Sequence, residues 1–220
     1  MNYNYGDAYL RHPIDHGMAI FPDGSKLKTH SIYDPLPKFM HDAEMIFTDS
    51  PWNQGNLKTF YTKAEMQSEF DSFMAFADRL FNCIEEISPR VCYLEIGKQF
   101  LDIWLQRMKA LYPYVTFFNS TYYHKESNLC YVVRGGLKRY SGPMMDGVDE
   151  EDIIDKVCEM EEVTCIGDLC MGRGLVACAA YRHGKRFVGT ELNHKRLSVT
   201  LERLTKMGAS YEIVEDCTNG

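Results

Sequence analysis

Apolar positions along the chain follow two spacings, and the alternation between them predicts the elements. EMIFTD (44–49) is a short apolar run ending in polar residues, and VCYLEI (91–96) is another; both read as buried strands. Between them Phe70, Phe73, Met74, Ala77, Leu80, Phe81, Ile84 and Ile87 keep helical spacing until Ser88-Pro89. A second helix carries Phe100, Leu101, Trp104, Leu105, Met108 and Leu111 and ends near Pro113. VTFFN (115–119) and NLCYVVRGG (128–136) predict two strands joined by a polar turn region. Ile153, Ile154, Val157 and Cys158 mark a short amphipathic helix.

The last third repeats the alternation. VTCIGDLC (163–170) predicts a strand that runs into Gly172-Arg173-Gly174, with a small-residue helix from Leu175 to Tyr181 behind it. RFVGTEL (186–192) predicts the next strand, Asn193 an N-cap, and Leu197, Leu201 and Leu204 the helix it starts. SYEIVED (210–216) closes the series. Residues 1–43 hold four of the eight prolines and no sustained period, so they read as an irregular arm. Seven strands interleaved with helices predict one α/β domain, a three-layer sandwich around a mostly parallel sheet with a hairpin-like antiparallel pair.

At 220 residues with 45% hydrophobic and 25% charged positions, the chain lies in the globular range and is long enough to bury a sizeable core. No apolar run is long enough for a membrane span, and MNYNYGDAYLRHP lacks the pattern of a secretory signal, so a cytoplasmic protein is expected. The net charge of −7 argues against a uniformly basic nucleic-acid surface. It leaves room for a local groove, because acids bunch at 146–155 while Arg134, Lys138, Arg139, Arg182, Lys185 and Arg186 gather elsewhere. None of the eight cysteines forms a C-x-x-C pair, which favours reduced buried thiols over a zinc site.

Ligands of open α/β sheets bind at the carboxyl ends of strands, so the residues there carry the chemistry. Asp168-Leu-Cys-Met-Gly172-Arg-Gly174 is a tight turn before a helix, which suits either a nucleotide-like cofactor or close packing. Glu191 ends the following strand, where a carboxylate can accept both hydroxyls of a ribose. Glu215-Asp216 ends the last strand, where an acid can accept from an adenine amine. Asp49-Ser50-Pro51-Trp52 joins a carboxylate, backbone carbonyls and an aromatic face. An exocyclic base amine is a poor nucleophile because its lone pair is delocalised. Acceptors for its N–H groups aim the nitrogen at an electrophile, and an aromatic ring stacks the extruded base. The polar stretch NQGNLKTFYTKA that follows, with Asn53, Asn56, Lys58 and Lys63, is either a strand-gripping loop or an ordinary solvated one.

These motifs carry a resemblance. Asp49-Ser-Pro-Trp52 resembles the D-P-P-[YFW] motif of AdoMet-dependent methyltransferases acting on adenine N6 or cytosine N4. Asp168-Leu-Cys-Met-Gly-Arg-Gly174 resembles their D-x-F-x-G-x-G cofactor loop, and Gly189-Thr-Glu191-Leu-Asn193 the G-x-E-x-[ND] segment after it. The catalytic motif precedes the cofactor motif, the permuted order of the small bacterial and phage β-class DNA enzymes, which the eukaryotic mRNA adenine methyltransferases share. The resemblance spans about residues 40–216. It implies a Rossmann-like class I methyltransferase sheet in order 3-2-1-4-5-7-6, S-adenosyl-L-methionine as cofactor and DNA as partner. On it, Asp49 holds the target amine with help from the Ser50 or Pro51 carbonyl, and Trp52 stacks the base. Asp168, Cys170, Gly172 and Gly174 line the methionine end of the cofactor, Glu191 the ribose and Asp216 the adenine, and Asn193 is a further cofactor contact. Met145 and Asp146, in Gly142-Pro-Met-Met-Asp146, fall where the family has its K-P-x-x-L motif.

The resemblance divides the chain into a catalytic half (44–136), a short linker (137–150) and a cofactor half (151–220). Ser50 replaces the motif's first proline and Cys170 its usual phenylalanine. The linker stands where the family carries a recognition domain, which leaves three possibilities open: low selectivity, single-stranded substrates, or recognition through a homodimer or partner subunit. Asp first in the catalytic motif favours adenine N6 over cytosine N4. The alternatives are a scaffold of this fold without turnover, and a methyltransferase of RNA or nucleotides. No Pro-Cys nucleophile, G-x-S-x-G elbow, G-x-x-x-x-G-K-[ST] loop or H-E-x-x-H motif is present.

Overall fold

The computed structural model of the protein describes residues 5–215. In chain order it contains α1 (Ala8–Arg11), β1 (Met18–Ile20), β2 (Lys26–Thr29), a 3-10 turn (Lys38–Asp42), β3 (Met45–Asp49), α2 (Gln54–Lys63), α3 (Phe73–Ile87), β4 (Val91–Ile96) and α4 (Leu101–Leu111). β5 (Tyr114–Tyr122), β6 (Lys125–Gly136), β7 (Val148–Asp149), α5 (Glu150–Met160), β8 (Cys165–Asp168), α6 (Leu175–Arg182), β9 (Arg186–Glu191), α7 (His194–Lys206) and β10 (Glu212–Val214) follow. No helix among the described residues is long and apolar enough to cross a membrane.

All ten strands of the described residues join one sheet in the order β10-β1-β2-β9-β8-β3-β4-β6-β5-β7. The five strands β2, β9, β8, β3 and β4 run parallel. β6 is antiparallel to both its neighbours, β4 and β5. β1 is antiparallel to β2 and β10 at one edge, and β7 lies parallel to β5 at the other. The sheet is therefore mixed and has ten strands, where the sequence pattern predicts seven and a mostly parallel arrangement.

The extra strands are short. β1 and β2 have three and four residues, too few to build a visible period, and each buries one apolar side chain, Ala19 and Leu27. Residues 18–29 are thus an antiparallel pair in the sheet, not part of an irregular arm. They occupy the place beside β9 that the expected order gives to the chain's last strand; β10 pairs instead with β1.

Side chains alternate across the sheet and feed two cores. Phe47, Tyr93 and Val132 pack with Ile153, Ile154, Val157, Ala177, Leu197 and Leu201 from α5, α6 and α7. Ile46, Leu94 and Val133 pack on the other face with Phe73, Ala77, Leu80, Ile84, Trp104 and Met108 from α3 and α4. Six of the described cysteines are buried free thiols, and Cys170 is partly exposed.

Side-chain caps start the longer helices. Ser72 accepts from the Ala75 amide, and Asn193 accepts from the Lys195 and Arg196 amides. Residues 54–63, read from their polarity as a loop, form α2, because Asn53 caps it and Leu57 and Tyr61, one turn apart, bury its inner face. The β5–β6 hairpin is longer than its apolar core suggests. It turns on Tyr123 and His124, both with positive φ, 59° and 52°, as a tight two-residue hairpin turn requires. Asp149 accepts the His124 amide at 2.6 Å and Glu150 that of Tyr123 at 3.4 Å.

If residues 18–29 belong to the sheet, truncating their core side chain carries a core penalty. Leu27→Ala is expected to lower the unfolding free energy by about 2–4 kcal/mol in urea titrations. An arm that only wraps the body would lose far less.

Candidate active site

Four neighbouring parallel strands carry an acid at or one residue before their carboxyl ends. In order across the sheet these are Glu191 on β9, Asp168 on β8, Asp49 on β3 and Glu95 on β4. All four line one cavity of about 620 Å³ at the carboxyl ends of the strands, a volume in the range of small-molecule sites.

Asp168 accepts the Thr48 hydroxyl at 2.7 Å and the Cys170 amide at 3.0 Å on one oxygen. It thereby ties β8 to β3 and shapes the turn after it. Burial still pushes its carboxyl up to about 7, against these hydrogen bonds. Glu191 accepts the Gly172 amide at 2.6 Å on one oxygen and the Asn193 amide at 2.9 Å on the other. Each oxygen keeps a further lone pair for a ligand hydroxyl. Burial raises this carboxyl too, opposed by the charge of Arg196. Gly174 has φ +73°, and a Cβ on it would stand 2.2 Å from Cγ2 of Thr200, so this turn admits only glycine.

Asp49 ends β3 and receives the Trp52 indole N–H at 2.9 Å. Burial lifts its carboxyl to about 7; the Trp52 bond and the Arg196 charge pull the other way. Pro51 lines the cavity, whereas Ser50 is buried beneath it with no partner for its hydroxyl among the described residues. Trp52 is not a wall of the cavity. Its ring lies against Gly97, where a Cβ would come within 2.7 Å of it, and meets the Tyr122 ring edge-on at 5.2 Å. The aromatic walls are Tyr5, Phe47, Phe60, Tyr61, Phe76, Tyr122 and Tyr123.

Of the other expected cofactor residues, Cys170 and Gly172 line the cavity and Gly174 caps α6 behind it. Asn193 does not line it: its oxygen caps α7 and its amide donates to the Lys63 carbonyl at 2.8 Å. Met145 is fully buried in the core and Asp146 accepts from Asn119, so neither reaches the cavity, because the 137–147 segment packs along β5. Asp216 lies outside the described residues. Of the expected nucleic-acid contacts only Lys63 is a cavity wall; Asn53 spends its side chain on the α2 cap, Asn56 is partly buried and Lys58 is exposed.

Sequence reasoning missed Glu95, Tyr122, Tyr123 and three arginines, Arg173, Arg196 and Arg203, which join Lys63 in the wall. The signal for Glu95 was present: one carboxylate in the otherwise apolar VCYLEI, on the strand beside Asp49. The arginines come from the glycine turn and α7, and the guanidinium of Arg196 sits 4.6 Å from the Phe60 ring centre.

No family model matches the chain, and no curated protein matches it in sequence. Solved structures do match. M1.HpyAVI, in its complex with S-adenosyl-L-methionine, superposes with a TM-score of 0.54 at 11% identity, over 81% of this chain and 98% of that one. TTHA0409 of Thermus thermophilus, assigned as a DNA modification methylase, gives 0.55 at 14%, over 82% and 94%. The PvuII cytosine-N4-specific DNA methyltransferase gives 0.50 at 8%, over 80% and 85%. The chain shares the fold of these three solved structures, built here on a mixed sheet.

Two outcomes follow from this geometry. Gly174→Ala is expected to cost about 2–4 kcal/mol in urea titrations, from overpacking and left-handed strain together, whereas Gly184→Ala, with φ +64° and open space around it, costs about 1–2. Asp49 and Asp168 near 7 and Glu150 near 8 hold protons in the folded state that the unfolded chain releases near 4. The folded state binds more protons, so this contribution is full below about pH 4 and lost as pH rises through 7–8. Tm of the ligand-free protein should fall by about 3 °C or more between roughly pH 5.5 and 8.5, and less in Asp168→Asn.

Proposed function

We propose that the protein transfers a methyl group from S-adenosyl-L-methionine to the exocyclic amine of a DNA base, adenine N6 ahead of cytosine N4. The observation that carries this reading is the convergence of Asp49, Asp168, the Gly172 turn and Glu191 on one cavity. These residues come from the three motifs of the resemblance, in a fold shared with DNA methyltransferases.

The residues present fit the cofactor. Gly172, with φ +56°, leaves the turn without a side chain at the cavity wall, and Glu191 keeps lone pairs for ribose hydroxyls. Asp168 and Cys170 stand beside the turn, where the methionine end would lie. The cofactor supplies an electrophilic methyl on a sulfonium.

Asp49 is the acceptor for the target amine. The Trp52 indole occupies one carboxylate oxygen and fixes the plane of the group, leaving the other oxygen for an N–H. The carbonyl of Ser50 or Pro51 takes the second N–H. Only ionised Asp49 accepts at both oxygens. As the new N–C bond forms, the amine sheds a proton, and a carboxylate with its pKa near 7 is suited to take it. Tyr122 and Tyr123, as cavity walls, replace Trp52 as the rings against which an extruded base stacks. Lys63, Arg173, Arg196 and Arg203 supply positive charge for phosphates at the cavity despite the acidic chain. Asn56 and Lys58 extend that contact along α2. Asp first in the catalytic turn supports adenine ahead of cytosine.

The direct experiment is methyl transfer from labelled S-adenosyl-L-methionine to unmethylated genomic DNA, with mass identification of the nucleoside product. N6-methyladenine is expected. Asp49→Ala should lose about 10³-fold or more in rate while cofactor binding, measured by calorimetry, stays within about twofold. The wild-type rate should climb with pH up to about 7. Cofactor binding without product on any nucleic acid would instead support a scaffold.

A further inference from the structure

Glu95 is the one acid of the row for which the mechanism above has no use. It pairs in register with Asp49 across β3 and β4, so the two side chains leave the sheet on the same face. It is 1% exposed, it lines the cavity, and its Oε1 has no hydrogen-bond partner among the described residues. An orphaned buried polar atom in a cavity wall points to a group that arrives with the ligand.

The charged and titratable groups around Glu95 are of one sign. Asp49 stands on β3, Asp168 on β8, and Asp149 and Glu150 at the β7–α5 junction; all four oppose its ionisation, after burial itself. Tyr122 on β5 and Cys130 on β6 also face it, and both are pushed up by burial, so they stay neutral. Arg196 acts on Asp49 and Glu191. Glu95 therefore keeps its proton well above the ordinary carboxylate range. A protonated carboxyl is a hydrogen-bond donor, whereas Asp49 serves as an acceptor.

That donor–acceptor pair matches one kind of base edge. Adenine and cytosine each place an N–H donor, the exocyclic amine, next to a ring nitrogen that is a bare acceptor. At the equivalent edge, where guanine carries O6 and thymine O4, the pattern is the reverse, a carbonyl beside a ring N–H. We propose that Glu95 is the base-recognition residue of this site: its carboxyl O–H donates to the ring nitrogen adjacent to the target amine while Asp49 accepts the amine's N–H. The pair selects amino bases over keto bases and aligns the amine from two sides. This inference rests on the methyltransferase reading and adds the residue that reads the base.

The test uses oligonucleotides carrying adenine or 1-deazaadenine, in which a C–H replaces the ring acceptor; 3-deazacytosine serves if the product is N4-methylcytosine. Methyl transfer is measured with wild type, Glu95→Gln and Glu95→Ala, after calorimetry has shown that each binds S-adenosyl-L-methionine. Wild type should lose about tenfold or more in kcat/KM on the deaza substrate, the loss of one hydrogen bond. The penalty in Glu95→Ala should be about tenfold smaller than in wild type, because any intrinsic change in amine reactivity is common to both enzymes and cancels when the two penalties are compared. Glu95→Gln, whose amide N–H still donates, should keep the penalty. A second readout covers the case in which the alanine variant does not fold. The wild-type penalty should shrink as rising pH ionises Glu95, while that of Glu95→Gln stays constant. An equal penalty in wild type and Glu95→Ala, no penalty in wild type, or parallel pH behaviour of wild type and Glu95→Gln would overturn the assignment. A wild-type protein that binds the cofactor but methylates no base would overturn the functional reading itself; methylation without Glu95-dependent discrimination overturns this inference alone.

Discussion

Four carboxylates lie side by side at the ends of four parallel strands, and the rest of the structure has to accommodate them. Taking like charges out of water together is costly unless each is hydrogen-bonded, paired or neutralised. The chain uses a different device at each position. Glu191 is satisfied by two backbone amides, Asp168 by a hydroxyl and an amide, and Asp49 by an indole N–H. Glu95 has no such donor at Oε1 and is kept neutral by its surroundings. Arg196, stacked on Phe60, offsets the charge of Asp49 and Glu191 from the opposite wall. The row gives the cavity four carboxyl groups at fixed places, each in a different hydrogen-bonding state.

The far side of the cavity depends on a second set of acids. The β5–β6 hairpin turns on two non-glycine residues in the left-handed region, an unfavourable conformation for both. Asp149 and Glu150, at the start of α5, accept the backbone amides of that turn and hold it. The hairpin carries Tyr122 and Tyr123 to the cavity wall. The segment before α5 thus anchors an aromatic wall of the site, a role that its acidic composition, read alone, would assign to a solvated surface.

The local elements were legible because their causes are local. VCYLEI formed β4 over the expected residues, Asn193 capped α7, and the glycine turn after Asp168 stood at the end of a strand. Asp49, Asp168 and Glu191 were legible too, since a carboxylate at a strand's carboxyl end is visible in sequence as an acid closing an apolar run. The elements that the pattern missed share a cause, too few apolar positions to show a period. β1 and β2 are too short to show a period, and α2 hides a buried i, i+4 pair in a polar stretch. Trp52 was expected as a stacking platform, and Asn193, Met145 and Asp146 as cofactor contacts. In the fold these side chains are engaged elsewhere, by Gly97, by a helix cap, by the core and by Asn119.

By itself the sequence determined the alternation of strands and helices, the position of the glycine turn after Asp168, and which acids close their apolar runs. Each of these follows from a few neighbouring residues and needs no partner. Only the tertiary structure decided that Glu191, Asp168, Asp49 and Glu95 stand in one row, that Tyr122 and Tyr123 face them, and that Arg196 crosses from α7 to meet them. Strand order, register and the packing of helices on the sheet set those distances between residues as far apart in sequence as Asp49 and Arg196. A carboxyl group's protonation depends on its distance from water and from other charges, so the chemistry of the row was settled by the fold as a whole.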